Sequence, residues 1–193
     1  MKTIKNNPEL KFYFSQFFNS MIKAEASFLA ERLKKEGNII DVGCGSGLLE
    51  QKLNRFDIVG IQDSNELLSL ARKKSKNLFV KGSAENLPFL KEEFKIGIIN
   101  LSVKYIKNWK RAISELSSVI SNDGDLFAFF VNPDIEIKHL KAFKNGDISN
   151  NINLDDLEDY ISKFFRIVEF YPLKFKNNKK EIIITALWSS RNS

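Results

Sequence analysis

The stretch Asn38-Ile39-Ile40-Asp41-Val42-Gly43-Cys44-Gly45-Ser46-Gly47 decides the fold of this chain. Its apolar part, from Ile39 to Val42, predicts a strand that is buried on both faces of a sheet. The glycines at every second position then permit a tight turn, in which backbone approaches a ligand without a Cβ in the way. The segment 48–53 predicts a short helix whose free N–H groups point back at the turn. This order of strand, glycine turn and helix is how α/β proteins bind a ligand that carries a nucleoside.

The spacing of the glycines separates this turn from one that binds a dinucleotide. It is G-x-G-x-G, whereas the dinucleotide turn has G-x-G-x-x-G. Asp41, just before the first glycine, is poorly placed for a pyrophosphate and suits a ligand with an amino group. The run from Asp41 to Gly47 closely resembles the first signature motif of the class I S-adenosylmethionine-dependent methyltransferases. A generic glycine-rich turn between a strand and a helix is the alternative interpretation.

The resemblance implies S-adenosyl-L-methionine as the cofactor and assigns this turn to its amino-acid part. In that family the acid, here Asp41, helps to hold the ammonium group, usually through water. The glycines, here Gly43, Gly45 and Gly47, pass under the methionine part. We interpret Cys44 as a small filler under the cofactor, because a nucleophilic thiol needs a base partner. Since the chain has one cysteine and one histidine, we expect no metal site.

Strands alternate with helices after the glycine turn, and this alternation predicts a parallel, doubly wound sheet. The strands predicted after the first one are 56–62, 78–81, 94–100 and 125–131. The sequence Asn122-Asp123-Gly124 predicts a turn directly before the last of them.

The tail departs from this alternation. It predicts a helix from Leu154 to Phe164 and two strands, 165–175 and 181–188. Because only Asn177-Asn178 and their neighbours join these strands, the pair must be antiparallel. The resemblance, which covers about residues 37–188, implies the same architecture. The expected fold class is α/β, a doubly wound Rossmann-like seven-stranded sheet with an antiparallel C-terminal hairpin strand.

The length of 193 residues fits one domain, which we divide by expected role. Its parts are an N-terminal helical lid at 1–36, a cofactor-binding core at 37–131, a substrate-side insert at 132–153 and a C-terminal helix and hairpin at 154–188. The aromatic segment 12–18 has two interpretations: a helix packed on the core, or a lid over cofactor and substrate.

The composition is ordinary for a globular protein, with 43% hydrophobic and 28% charged residues. No apolar run approaches the length of a membrane span, and no secretory core follows the start. A single cysteine is consistent with a reducing compartment, so we expect a cytoplasmic protein. The net charge of +6 permits weak attraction to nucleic acid. The lysines are scattered, however, so a nucleic-acid partner is possible but not favoured.

The end of the second strand bears on recognition of the ribose. In the family this strand usually ends in an acid that binds both ribose hydroxyls, because a carboxylate accepts two hydrogen bonds at once. Here Gln62 takes that position, followed by Asp63 and Ser64. Three interpretations are open. Gln62 could bind the ribose with its amide, Asp63 could supply the carboxylate through a shifted loop, or the ribose site has decayed. Asp63 also has a structural explanation, as an N-cap of the next helix with Glu66 three residues on.

The segment Gly82-Ser83-Ala84-Glu85-Asn86-Leu87-Pro88-Phe89 resembles the family loop that covers adenine, which commonly reads Gly-Asp-Ala-Glu-x-Leu-Pro-Phe. The family's aspartate accepts a hydrogen bond from the adenine amino group. Ser83 replaces it here, while the backbone N–H of Ala84 is available to the ring and Glu85 completes the motif. An ordinary surface loop is the alternative interpretation.

Further candidate residues come from the resemblance and from their place in the chain. The backbone near Asn100 and Leu101, after the fourth strand, is expected to face the methionine part. Tyr105 stands where relatives often have histidine or tryptophan near the mouth of the active site. Tyr13, Tyr105 and His139 are the weak candidates for a catalytic role. Tyr105 is equally explained as a helix-surface residue, and the lone His139, in a lysine-rich segment, is better explained as solvent-exposed.

Methyl transfer from a sulfonium is a direct displacement, so the protein contributes mostly proximity, in-line orientation and a water-poor pocket. The expected function is transfer of a methyl group from S-adenosyl-L-methionine to a small-molecule acceptor. The chain resembles the branch that includes quinone-biosynthesis methyltransferases. The alternatives are a tRNA or protein methyltransferase, and a catalytically silent fold that binds weakly or serves as a partner subunit. We expect a monomer or a homodimer.

Overall fold

The computed structural model describes residues 8–33, 37–100, 106–131, 154–177 and 180–191. The described chain contains seven strands, which form one sheet. The strands are β1 Ile39–Val42, β2 Ile58–Gln62, β3 Leu78–Lys81, β4 Phe94–Asn100, β5 Ile120–Val131, β6 Ile167–Asn177 and β7 Lys180–Ser190. The helices are α1 Pro8–Tyr13, α2 Gln16–Arg32, α3 Leu48–Leu53, α4 Asn65–Lys74, α5 Trp109–Val119 and α6 Leu154–Ile161.

The order of the strands across the sheet is β3-β2-β1-β4-β5-β7-β6. Strands β1 to β5 run parallel, and β7 lies antiparallel between β5 and β6. The predicted fold class is therefore confirmed. Because β1 lies between β2 and β4, the carboxyl ends of these three strands meet at one edge, where the candidate site residues gather.

The alternation of side chains along the strands explains the two-sided core. On one face, Ile39, Ile98 and Phe127 pack with the buried side of α2. On the other face, their sequence neighbours Ile40 and Ile99, with others, pack with α5 and α6. Helices therefore cover both faces of the sheet, as a parallel sheet requires.

The turn predicted at Asn122-Asp123-Gly124 is wrong, because β5 already begins at Ile120. Ile120 pairs with Phe94, and the register of β4 against β5 then shifts between Phe94 and Ile96. Gly124 allows this irregularity, since a Cβ there would lie 2.5 Å from the carbonyl oxygen of Lys95. The turn-forming residues thus form a bulge within a continuous strand.

No helix in the described part of the chain is both long enough and apolar enough to cross a membrane. The predicted substrate-side insert at 132–153 lies outside the described residues.

Candidate functional site

The loop from Gly43 to Gly47 continues β1 into α3 and lies at the carboxyl edge of the parallel strands. Gly43, Gly45 and Gly47 have φ values of 79°, 56° and 72°, in the region that favours glycine. The N–H groups of Gly43 and Cys44 both donate to the carbonyl of Ile61, at 2.8 and 3.1 Å. A Cβ on Gly47 would lie 2.7 Å from the Cα of Ala71 in α4. The predicted glycine pattern is therefore required by backbone angles and by close packing.

Tyr13 covers this loop from the N-terminal segment. A Cβ on Gly45 would lie 2.7 Å from the Cε1 atom of the Tyr13 ring, which also packs edge-on against Phe12 and Phe18. The interpretation of the aromatic segment as a helix packed on the core is therefore confirmed, while the lid over cofactor and substrate stays a prediction. Phe12 and Phe18 are buried in the core, whereas Tyr13 lies against the glycine loop.

Lys74 provides a second contact between the loop and its surroundings. Its Nζ atom donates to Ser46 Oγ at 2.9 Å and lies 5.3 Å from the centre of the Phe14 ring. The side chain is half-buried, and burial lowers its pKa, while the charge of Glu50 acts in the opposite direction.

Asp41 and Glu50 form a pair of buried carboxyl groups beside the loop. Each is 1% exposed. Burial raises the pKa of Asp41 to about 7, while its hydrogen bond with Glu50 acts in the opposite direction. Burial, and then the charge of Asp41, raise the pKa of Glu50 well above its usual range. Two carboxyl groups can share a hydrogen bond only when one of them is protonated, so the raised pKa values belong to the pair.

Glu25 of α2 is a third buried carboxyl group, and it is completely buried. It accepts a hydrogen bond from the side-chain amide of Asn100, the last residue of β4. Burial and then the charge of Asp41 raise the pKa of Glu25 well above its usual range, against the effect of the Asn100 hydrogen bond. Asn100 is a predicted site residue, whereas the sequence analysis missed Glu25. Its signal was a carboxylate on the apolar face of a helix, three residues after Ile22.

Gln62, Asp63 and Ser64 follow β2 in one short segment. The side-chain oxygen of Gln62 accepts hydrogen bonds from the N–H groups of Asp63 and Ser64, at 2.8 and 3.2 Å. The amide nitrogen of Gln62 makes no hydrogen bond to any residue that the structure describes, so its two N–H donors are available to a ligand.

The expected capping role of Asp63 is wrong, because the N-cap of α4 is Ser64. The Ser64 hydroxyl accepts from the N–H of Leu67 at 3.3 Å and donates to Glu66. Asp63 is exposed one residue earlier. Serine and aspartate are both good caps, and the register of the helix decides between them.

The predicted adenine loop after β3 is held by its own hydrogen bonds. The exposed Ser83 accepts from the N–H of Glu85 at 3.2 Å, and its backbone bridges to Asn86. Glu85 accepts from the N–H of Asn108 at 3.1 Å, and its carbonyl accepts from the Arg111 side chain at 2.7 Å. This loop is therefore fixed to the start of α5, with Ala84 partly buried against the core.

Cys44 is buried in a small apolar cluster with Leu68, Ala71 and Phe79. Burial, followed by the charges of Glu50 and Asp41, raises the pKa of its thiol well above the usual range. A protonated, buried thiol fits a packing role and not that of a nucleophile. Among the residues that the structure describes, no group of three possible ligands could hold a metal ion.

Three predicted site residues, Leu101, Tyr105 and His139, lie outside the described residues. The structure brings together Tyr13, Asp41, Asn100 and the glycines near the ends of β1 and β4. It places Gln62, Asp63 and Ser64 at the end of β2, and Ser83, Ala84 and Glu85 after β3.

Comparison with known proteins identifies the family and the fold. Residues 40–128 match a family described as a methyltransferase domain. A ubiquinone/menaquinone biosynthesis C-methyltransferase, UbiE, of Campylobacter jejuni is 30% identical over 177 residues, which cover 78% of this chain and 73% of that protein. A second such protein of this organism is 29% identical over 171 residues, which cover 79% of this chain and 69% of that protein.

Solved structures share the fold at lower identity. An S-adenosylmethionine-dependent methyltransferase of Thermotoga maritima, described as a possible histamine N-methyltransferase, superposes with a TM-score of 0.73 at 19% identity. The aligned parts cover 94% of this chain and 93% of that one.

Proposed function

Because this chain belongs to the class I S-adenosylmethionine-dependent methyltransferases, we propose that it transfers the methyl group of its cofactor to a small-molecule acceptor. The observation that carries this proposal is Asp41, a buried carboxyl group whose Oδ1 atom has no hydrogen-bond donor, at the start of a glycine loop. A buried acceptor without a donor is costly, and a ligand ammonium group would satisfy it.

The residues present fit the amino-acid part of S-adenosyl-L-methionine. Asp41 would hold the ammonium group, and Gly43, Gly45 and Gly47 would lie under the methionine part, where side chains would be in the way. Asn100, at the end of the neighbouring strand, would border the same part.

The nucleoside would be held at the next two strand ends. Gln62 would donate its amide N–H groups to ribose hydroxyls, since its oxygen already accepts from backbone. Asp63 would reach the ribose as an exposed carboxylate, which is free of a capping role. Ser83 and Ala84 would border adenine.

The cofactor supplies the chemistry as a sulfonium-bound methyl group. The chain's own contribution is to orient and to exclude water. The Tyr13 ring, packed on Gly45, would shield the loop from solvent. We propose that the acceptor binds on this side, near Tyr13. Tyr105, His139 and the insert at 132–153 stay sequence predictions for acceptor binding, because they lie outside the described residues.

The class of acceptor is supported by the named activity of the Campylobacter relatives, which are quinone-biosynthesis C-methyltransferases and therefore act on small molecules. The net charge of +6 is the one feature that favours an RNA acceptor. These two acceptor classes make opposite predictions in the same experiment.

The test offers cofactor with a labelled methyl group together with a low-molecular-weight cell extract, total tRNA or total protein. We expect label in organic-extractable small molecules, and none with Asp41→Asn, the matched control. Label in precipitated tRNA, with activity that falls steeply with salt, would contradict the small-molecule proposal. Label in protein would contradict it as well. Calorimetric binding of cofactor without any transfer would favour the catalytically silent alternative.

A further inference from the structure

Three buried carboxyl groups from three different elements lie near the glycine loop, and among the residues that the structure describes a cation acts on only one of them. Glu25 comes from α2, Asp41 from β1 and Glu50 from α3. The charge of Asp41 acts on both glutamates. Lys74 acts on Glu50, whereas no lysine or arginine of the described ranges contributes to the pKa of Glu25 or Asp41. Within the described ranges, the pair Glu25 and Asp41 is thus a buried acidic site without a counter-charge.

The hydrogen bonds of this pair are also incomplete. Asn100 donates to one oxygen of Glu25, and the other, Oε1, is buried without a donor. The Oδ1 atom of Asp41 is likewise buried without a hydrogen-bond donor. Unmatched buried acceptors are costly in a folded protein and are uncommon unless a ligand completes them.

Glu50 differs from Glu25 in its surroundings. Glu50 interacts with Asp41 from α3, and the charge of Lys74 acts to lower the pKa of Glu50. Its part is therefore to hold Asp41 in position, while Glu25 approaches Asp41 from the opposite element, α2.

We propose that Glu25 is a second ligand for the ammonium group of the cofactor, which is held between the carboxylates of Glu25 and Asp41. An ammonium group has three N–H donors, which match the two open oxygens and leave one donor for water or backbone. A metal ion fits less well, because Glu25, Asp41 and Glu50 do not form a group that could hold one, and the described part of the chain has no other such group. Asn100 acts as a positioning residue, because its amide fixes the Glu25 side chain.

This inference rests on the cofactor of the family and not on the acceptor. The test therefore compares two ligands that share the nucleoside and the thioether. S-adenosylhomocysteine has the amino-acid part, whereas 5′-methylthioadenosine lacks it. Calorimetry gives the Kd of both ligands for the wild type, for Glu25→Gln and for Glu31→Gln. Glu31 is the matched control, because it lies on the same helix with its side chain 76% exposed.

We expect Glu25→Gln to raise the Kd of S-adenosylhomocysteine about thirtyfold, because one buried charge partner is lost. The Kd of 5′-methylthioadenosine should not change. Glu31→Gln should leave both Kd values unchanged. The retained binding of 5′-methylthioadenosine also shows that Glu25→Gln is folded. As a second variant, Glu25→Asp keeps the charge at shorter reach and should recover part of the lost affinity.

Equal loss of affinity for both ligands would overturn the inference, since it would mark a general disturbance of the site. Unchanged binding of S-adenosylhomocysteine to Glu25→Gln would overturn it too. Failure of the wild type to bind either ligand would overturn the cofactor site as a whole, and is thereby distinguished from a failure that concerns Glu25 alone. A small-molecule acceptor, or its absence, changes none of these results.

Discussion

The two halves of the proposed cofactor site differ in how their polar groups are satisfied. On the methionine side, Glu25, Asp41 and Glu50 are buried and keep oxygens that have no donor. On the nucleoside side, Gln62 and Ser83 already accept hydrogen bonds from the backbone of their own loops. The nucleoside half is thus largely formed before a ligand arrives, while the methionine half is completed by one. We infer that the ammonium group supplies the part of the binding free energy that distinguishes the cofactor from nucleosides that lack the amino-acid part.

The largest effect is expected at Asp41. Asp41→Asn removes the central charge of the methionine half, and we expect S-adenosylhomocysteine to bind about a hundredfold more weakly. The same variant should raise the Tm of the unliganded protein above about pH 7, because the buried charge that it removes is costly there. Calorimetry and thermal unfolding measure the two effects. A variant that loses affinity and stability together would contradict this account of the methionine half.

The pH dependence follows from the same group. Burial raises the pKa of Asp41 from 3.8 to about 7, so the folded unliganded protein binds this proton more tightly than the unfolded chain does. Its free energy of unfolding should therefore fall as the pH rises from about 4 to about 7. The affinity for S-adenosylhomocysteine should rise over that interval, by up to about tenfold per pH unit, because ammonium prefers the ionised carboxylate.

The groups that share this titration are Glu25, Glu50 and Lys74, which face Asp41 or its partner from α2, α3 and α4. Binding of 5′-methylthioadenosine, which lacks the ammonium group, is the control and should not change with pH. A parallel rise for both ligands would place the titrating group elsewhere in the site.

The next effect tests shape instead of charge in the methionine half. In Gly45→Ala, the added Cβ would clash with the Tyr13 ring, and the alanine would have to adopt a left-handed φ of 56°. We expect S-adenosylhomocysteine to bind about tenfold more weakly and the free energy of unfolding to fall by about 1–2 kcal/mol. Adding Tyr13→Ala should restore part of the affinity. Gly47→Ala is the matched control, because its neighbour is the backbone of Ala71 and no truncation of a ring can relieve it.

A gain of affinity is expected on the nucleoside side. In Gln62→Glu, one carboxylate oxygen can accept the two backbone N–H groups, and the other can accept from a ribose hydroxyl. We expect adenosine and S-adenosylhomocysteine to bind about threefold to tenfold more tightly. Gln62→Ala serves as the control and should weaken the binding of both ligands. If Gln62→Glu weakened both ligands, the Gln62 amide would be the better ribose ligand and the site would depend on its donors.

The smallest effect is expected at Ser83. Its hydroxyl is exposed and accepts from the N–H of Glu85, so Ser83→Ala should change the Kd of adenosine by less than about threefold. Calorimetry with adenosine alone measures it. A loss greater than that of Gln62→Ala would show that the nucleoside half depends on the adenine loop.

The sequence predicted the fold and the loop because both depend on local pattern. A short, nearly continuous apolar run in Ile39–Val42, followed by glycines with positive φ, is compatible with few other structures. It did not predict that β5 begins at Ile120, since a bulge is stabilised by a neighbouring strand and not by its own residues. The cap at Ser64 in place of Asp63 depends on the register of α4, which composition does not give.

Glu25 shows the limit of sequence reasoning for the site. A glutamate in a helix is usually exposed, so its position on an apolar face gave only a weak signal. Its meaning depends on Asn100, 75 residues away, and on Asp41, which the fold brings close. Long-range contacts of this kind are not encoded in any local pattern.

The position of β7 in the sheet also sets an order for folding during synthesis. The ribosome makes β5 and β6 before β7, yet in the sheet β7 lies between them and pairs with both. Until residues 180–190 have emerged, β5 is an open edge of the sheet in the nascent chain, and its own residues Phe127 and Phe129 are exposed there. An exposed apolar edge of this kind is a hazard for aggregation and a target for chaperones. Newly made chains are therefore most vulnerable in the interval between the synthesis of β5 and that of β7, before β7 closes the sheet.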